Sequence, residues 1–309
     1  MTTAQLAQIP LMSDTASIVR ENILYRYGGV TRTSELYTNA FTQTSVSDNG
    51  SLSFSYVKQV NQGPLCSLCQ AVLLPDNQTM LVLGGINPIK RNSSMMAYMY
   101  RFDNASWSPA PVLSDNGTLP YNRKFFTATL APNGKVYIYG GIRTLSHVHE
   151  PSKPLNDFWS YDPVSRQNGV IAYLTGALTH STTIDQVPAN QTLLYDTNKD
   201  TWETRSLEGE NPSARENANA ILAPNGTSII MFGGESGKVL WEKQYPNEVA
   251  VLDMQTWKWN IVATLGIQPR GRGYASIGLI NNTYLMVIGG MNIDTKCLLF
   301  TRFAFMCAR

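Results

Sequence analysis

Residues Lys135–Ile142 read KVYIYGGI, a short strand-like alternation that runs directly into two adjacent glycines. The same phrase returns as ILYRYGGV (Ile23–Val30), MLVLGGI (Met80–Ile86), IIMFGGE (Ile229–Glu235) and YLMVIGGM (Tyr284–Met291). The pairs are Gly28–Gly29, Gly84–Gly85, Gly140–Gly141, Gly233–Gly234 and Gly289–Gly290. Their first members follow one another at intervals of 56, 56, 93 and 56. A fixed period of this length marks one supersecondary unit used repeatedly. Each unit has the same parts in order. An apolar strand such as FTATL (126–130) comes first, then a turn such as APNG (131–134 and 223–226), then the strand ending in Gly-Gly. After a variable loop comes a third strand and an Asp turn before tryptophan, as in AVLDMQTW (250–257), and the Trp opens a fourth strand. Asn-Gly between two alternating runs is a strong hairpin signal. Four hairpin-linked strands make one blade, and blades stacked about an axis bury faces that no single blade can bury alone.

The diglycines, the Tyr-Asp pairs (Tyr161–Asp162, Tyr195–Asp196) and the spaced tryptophans resemble kelch repeats, the propeller type shared with the central domain of galactose oxidase. The resemblance runs from about Thr15 to Gly290 and implies an all-β fold, a six-bladed kelch-type β-propeller in one domain. The units fall at 12–62, 63–118, 119–173, 174–210, 211–266 and 267–309, and residues 1–11 are free to supply the closing strand of the last blade.

The interval of 93 is 19 short of two periods. ALTHSTTI (177–184) matches the first strand of a unit and QTLLYDTNKDTW (191–202) matches the third strand with its Trp, so the fourth blade is expected to lack its Gly-Gly strand. The last blade is also short, with KCLLFTRFAF (296–305) as its third strand.

Composition narrows the function. A formal net charge of +2 with no long Lys/Arg run excludes an electrostatic nucleic-acid surface. No stretch of 18 apolar residues exists, so no helical membrane span is expected. The opening segment, Met1–Val19, has neither the basic start nor the apolar core of a signal peptide. Eight Asn-x-Ser/Thr sequons nevertheless occur, at Asn49, Asn77, Asn92, Asn104, Asn116, Asn190, Asn225 and Asn281. About four would arise by chance, so the sequons favour a glycoprotein of the secretory pathway or cell exterior whose leader is absent from this sequence, with a cytoplasmic location as the alternative. Cys66, Cys69, Cys297 and Cys307 are too few for a disulfide scaffold, and the CSLC pair reads as buried small residues or one structural disulfide.

Aligning the segments before each first strand gives LPYNRKFFTATL, NPSARENANAIL and QPRGRGYASIGL. Arg123, Arg215 and Arg272 share one position, three places after Pro, with Ser67 standing there in the second unit. Equivalent positions sit at one radius, so these arginines are candidate binding residues at the channel mouth, suited to carboxylates, or else they bond loop carbonyls. His147-x-His149 could ligate a metal, but with no further ligand apparent it reads as a solvated loop, and His180 reads as strand packing. The copper site that the galactose oxidase resemblance implies, two tyrosines and two histidines, cannot be assembled, so no metal and no cofactor are expected. Trp107, Trp202, Trp257 and Trp259 recur with the repeat as packing residues, while Trp159 and Trp241 break the pattern and are candidates for surface contacts. The expected function is a non-enzymatic scaffold that holds a protein or glycan partner on its loops. The alternatives are a copper oxidoreductase related to galactose oxidase, or a truncated propeller without function.

Overall fold

A computed structural model describes residues 12–31, 36–47, 51–89, 94–110, 120–144, 153–161, 170–174, 177–179, 184–239, 242–265, 268–292 and 301–304. Contacts divide the chain into two compact units, Met1–Gly169 and Val170–Arg309. Every element in the described residues is a β-strand.

Among the described residues the first unit holds three meandering antiparallel sheets, beside two short two-stranded pairings. The first runs Ala16–Arg20, Ile23–Tyr27, Phe41–Val46 and Leu52–Tyr56, each strand pairing with the next. The second repeats this order with Gln70–Leu73, Thr79–Leu83, Ala97–Arg101 and Ser106–Pro109. The third has Thr127–Leu130, Val136–Tyr139 and Phe158–Tyr161. The turns follow from their residues. In APNG the Asn133 side chain accepts from the Lys135 amide at 3.0 Å, and Gly134 takes the positive φ of 80° that closes the hairpin.

Leu81 and Val82 are both 0 % exposed although they point to opposite faces of the second sheet. A strand covered on both sides must be apolar throughout, which is why these middle strands read as continuous hydrophobic runs. On one side Val82 joins Tyr25, Tyr27, Phe41, Tyr100 and Trp107. The Tyr27 and Trp107 rings lie 4.3 Å apart, and Phe41 meets Tyr100 edge-on at 4.8 Å. On the other side Leu81 and Leu83 pack with Phe126, Val136 and Ile138 of the third sheet. Cys66 and Cys69 are disulfide-bonded and buried beside the aromatic cluster.

The second unit also holds three such sheets: Val170–Tyr173, Gln191–Asp196 and Thr201–Ser206; then Asn219–Leu222, Ser228–Phe232, Val249–Asp253 and Lys258–Val262; then Gly273–Ile280, Tyr284–Met291 and Thr301–Ala304. Thr301–Ala304 pairs with the diglycine strand as the expected third strand of the last sheet. Glu208–Gly209 adds itself in parallel to the outer edge of Lys258–Val262. Leu207 and Trp259 pack with Met231 and Leu252 on one face of this sheet, and Phe232 packs with Ile277 and Val287 on the other.

The fourth sheet differs from the sequence expectation. Val170–Tyr173 pairs with Gln191–Asp196, taking the place expected of the lost Gly-Gly strand, so 170–173 belongs with the fourth sheet rather than the third. Ala177–Thr179 is not the first strand of that sheet; it forms a separate hairpin with Ile184–Gln186. Aligned by Asp196 and Asp253, Val170 corresponds to Ser228, which puts Thr175–Gly176 at the diglycine position in sequence. From Gly176 to Gly233 the chain runs through one ordinary period, whereas from Gly140 to Gly176 it runs through much less than one. The shortfall therefore sits earlier. Between a third strand and the next second strand, the chain elsewhere has room for a fourth strand, a first strand and their turns, as from Val46 to Thr79 and from Asp253 to Tyr284. Between Tyr161 and Val170 it has only positions 162–169, too few for two strands and their turns. Among the described residues, the third sheet has no outer strand and the fourth has no inner one.

The diglycines are needed where backbone crowds them. A Cβ on Gly85, at φ 85°, would lie 2.6 Å from the Ser67 carbonyl oxygen, whereas a Cβ on Gly226, at φ 68°, would meet nothing within 4 Å. Gly85→Ala is expected to cost at least about 3 kcal/mol and Gly226→Ala about 1 kcal/mol, read as separate shifts in thermal and urea unfolding. Equal losses would remove crowding as the reason for the repeated pair.

Candidate functional site

The diglycine ends of the strands carry the most organised polar chemistry among the described residues. Arg123, Arg215 and Arg272 are 0 %, 1 % and 3 % exposed. Each donates from Nη1 to the carbonyl of the first glycine in its own unit: Gly140 at 3.0 Å, Gly233 at 3.0 Å and Gly289 at 2.9 Å. Each also donates from Nε to the carbonyl two positions earlier, on Tyr121, Ser213 and Arg270. Carboxylates just before the third strands complete two of them: Asp157 accepts from Arg123, and Glu248 accepts from Arg215.

The backbones of Arg123 and Arg272 face the preceding unit. The Gly85 amide donates to the Arg123 carbonyl at 2.7 Å, and the Gly234 amide donates to the Arg272 carbonyl at 2.9 Å. Thus the diglycine amide bonds the next unit's arginine, whose guanidinium bonds its own diglycine. The alignment of the three arginines in sequence reflects this shared geometry, and their planar forks bond backbone carbonyls rather than projecting to solvent.

A second network surrounds Glu235, which is 2 % exposed and directly follows Gly233–Gly234. Its Oε1 accepts from Tyr245 at 3.0 Å, and its Oε2 accepts from Asn217 at 3.3 Å, from Tyr274 at 3.2 Å and from Lys243. Lys243 also reaches Glu216 at 3.4 Å. Burial raises the Glu216 carboxyl, partly offset by Lys243. The Gln186 amide donates to the Glu235 carbonyl at 2.9 Å. Glu235 stands where the other units carry Val30, Ile86, Ile142 and Met291. An acid in an apolar register is the signal by which the sequence marks this network, a signal distinct from the Pro-spaced arginines. Chemically the network ties both ends of the Ser236–Gln244 turn, itself closed by reciprocal backbone bonds, to the strand ends beneath it.

An open cleft of about 620 Å³ lies between the first two sheets, with walls including Tyr25, Tyr56, Tyr100, Phe102, Arg20 and Gln78. The Arg20 guanidinium sits 4.7 Å over the Phe102 ring and donates to the Asn77 carbonyl. Of the sequons, Asn77, Asn104, Asn190, Asn225 and Asn281 are exposed in turns; Asn49, Asn92 and Asn116 fall outside the described residues. Among the described residues no three His, Cys, Asp or Glu side chains are grouped to hold a metal, and no helix is long and apolar enough to cross a membrane. His147, His149, His180 and Trp241 lie outside the described residues. Trp159 packs beside the second cluster and donates to Asp157 at 2.7 Å.

Two family models match in tandem: the Kelch motif over residues 123–167, and the KLHDC2/KLHL20/DRC7 Kelch-repeats domain over residues 167–304. They meet inside the shortened junction. Kelch domain-containing protein 2 of Bos taurus is 29 % identical over 103 residues, 33 % of this chain and 24 % of that protein. Acyl-CoA-binding domain-containing protein 4 of Arabidopsis thaliana is 23 % identical over 108 residues, 35 % of this chain and 15 % of that protein. The matches thus span about a quarter or less of these relatives. The solved structure of YjhT superposes with a TM-score of 0.63 at 13 % identity, covering 97 % of this chain and 96 % of that one, a likeness that carries the fold alone. The fold is an all-β β-propeller, and the chain is a kelch-repeat protein.

The arginine network has a measurable pH signature. Burial raises the Asp157 carboxyl, but bonds from Arg123 and Trp159 outweigh it and hold the group below its ordinary 3.8. A depressed folded pKa stabilises above the ordinary value, and that stability is lost as pH falls through the folded one. Arg123→Met should cost about 2–4 kcal/mol at neutral pH and flatten the loss of stability below about pH 4. Unfolding curves from pH 7 to pH 2 for both proteins measure it, and parallel acid profiles would contradict the pairing.

Proposed function

We propose that the chain is a non-enzymatic interaction scaffold of six blades that holds a protein or glycan partner on the loops following its diglycines. The observation that carries this reading is the contrast between frame and loops. Arginines and diglycines bond each other in a repeated pattern, while the segments after them share no sequence: INPIKRNSSMMAY, IRTLSHVHEPSKPLNDF and ESGKVLWEKQYPNEV. A rigid frame under dissimilar loops is the arrangement by which repeat folds select partners. The kelch matches support a protein-binding role, with a fold that by itself fixes no chemistry. The exposed, turn-borne sequons support a secretory-pathway or extracellular protein carrying N-linked glycans.

Affinity capture with the intact chain, compared with variants whose loops 87–94, 144–156 and 236–242 are replaced one at a time by Gly/Ser of equal length, so that Met95, Lys243 and Tyr245 stay in place, tests the loop reading. At least one replacement should weaken capture of a reproducible partner by tenfold or more while leaving thermal stability within a few degrees. Undiminished capture by all three would contradict it. Expression behind a secretion leader should give a chain whose gel mobility increases on endoglycosidase treatment; an unchanged mobility counts against the secretory assignment.

A further inference from the structure

Arg26 is a buried cation in a register that the rest of the repeat keeps apolar. It stands two positions before the first glycine, where the other diglycine strands have Val82, Ile138, Met231 and Val287. Alternation sends Tyr25 and Tyr27 into the aromatic cluster, so Arg26 faces the opposite side of the first sheet. It is 1 % exposed, and its Nε and Nη1 are fully buried without a hydrogen-bond acceptor among the described residues. Burial alone pushes its pKa down to about 10. The residues directly across from it are Ser17 and Thr42, which share its face of the sheet. The equivalent row in the fifth sheet is Ala220, Met231 and Ala250, wholly apolar. Thr42 is 5 % exposed, and its hydroxyl donates only a 3.5 Å bond to the Arg26 carbonyl.

A guanidinium removed from water with donors unmet is strongly unfavourable, and anions with two oxygens fit its fork. We infer that Arg26, with the hydroxyls of Ser17 and Thr42 beside it, forms a buried site for a compact oxyanion, a carboxylate or a phosphate. The site is independent of the loop reading, since no residue of the diglycine loops contributes to it. Arg26 lies in the strand that ends just before Gly28 and is held by pairing on both sides, to Ser17 and Thr42.

Thermal melting of the purified chain at constant ionic strength, in sodium chloride against sodium acetate or sodium phosphate, reads the site directly. The wild-type melting temperature should rise saturably, by about 5 °C once the anion is in hundredfold excess over its dissociation constant. A rise with acetate alone identifies a carboxylate ligand, and a rise with phosphate alone a phosphate. Arg26→Met, matching the Met of the fifth sheet, should melt at or above the wild type in chloride and respond to neither anion. Arg26→Lys, which keeps the charge but not the fork, should keep a response at least tenfold weaker in apparent affinity. The inference is overturned if the wild type shows no oxyanion response, if Arg26→Met responds equally, or if Arg26→Met melts far below the wild type in chloride. That last result would mean the guanidinium is already satisfied within the folded chain.

Discussion

The hydrogen bond between a diglycine and the arginine of the following unit is the constraint on which the rest of this structure depends. A first glycine such as Gly233 has no Cβ because the Arg272 carbonyl oxygen would lie 2.4 Å from it. The next amide, of Gly234, then donates to that same carbonyl. The guanidinium of Arg272 turns away from it to the carbonyl of Gly289 in its own unit. Each link therefore couples the end of one strand to the start of the next sheet. Apolar packing between sheets is non-directional and could tolerate some sliding. These bonds fix the offset, and with it the positions from which the loops depart.

The shortened junction shows what the repeat can lose. On either side of the short stretch between Tyr161 and Val170 the described residues show neither an outer strand for the third sheet nor an inner strand for the fourth, yet the middle strands of both keep their apolar residues and their pairing to a third strand. The middle and third strands carry most of the buried side chains, whereas outer strands such as Thr201–Ser206 are largely exposed. Losing edge strands costs backbone pairing more than core, and leaves edges that need cover. The division of the chain into compact units and the boundary between the two kelch matches both fall here.

Most of the fold is legible in the sequence because it rests on period and pattern. The diglycines, the Asn-Gly turns and the Trp positions carry the strand order, and the third strand around Thr301–Ala304 forms where expected although the last unit is short. The fourth unit departs from its sequence pattern for a physical reason. VIAYLTG (170–176) ends in Thr-Gly instead of Gly-Gly, and ALTHSTTI, with its strand-like alternation, reads as a first strand in the alignment. Of the candidate site, sequence shows that three arginines are equivalent but not which way they face. A guanidinium long enough to reach solvent is also long enough to reach the diglycine carbonyl of its own unit. Glu235 and Arg26 are detectable in principle, since each is a charge in a column of aliphatic residues, and such breaks in a repeat are where polar sites concentrate.

Amide hydrogen exchange at the diglycines tests the account most directly, because it reads the coupling bond itself. Gly29, Gly85 and Gly234 donate to Cys66, Arg123 and Arg272 carbonyls at 2.7, 2.7 and 2.9 Å. Their amides should exchange as slowly as those of the middle strands, despite lying beyond the strand ends. Exchange at the rate of the exposed turns would mean that the repeated glycines hold nothing together.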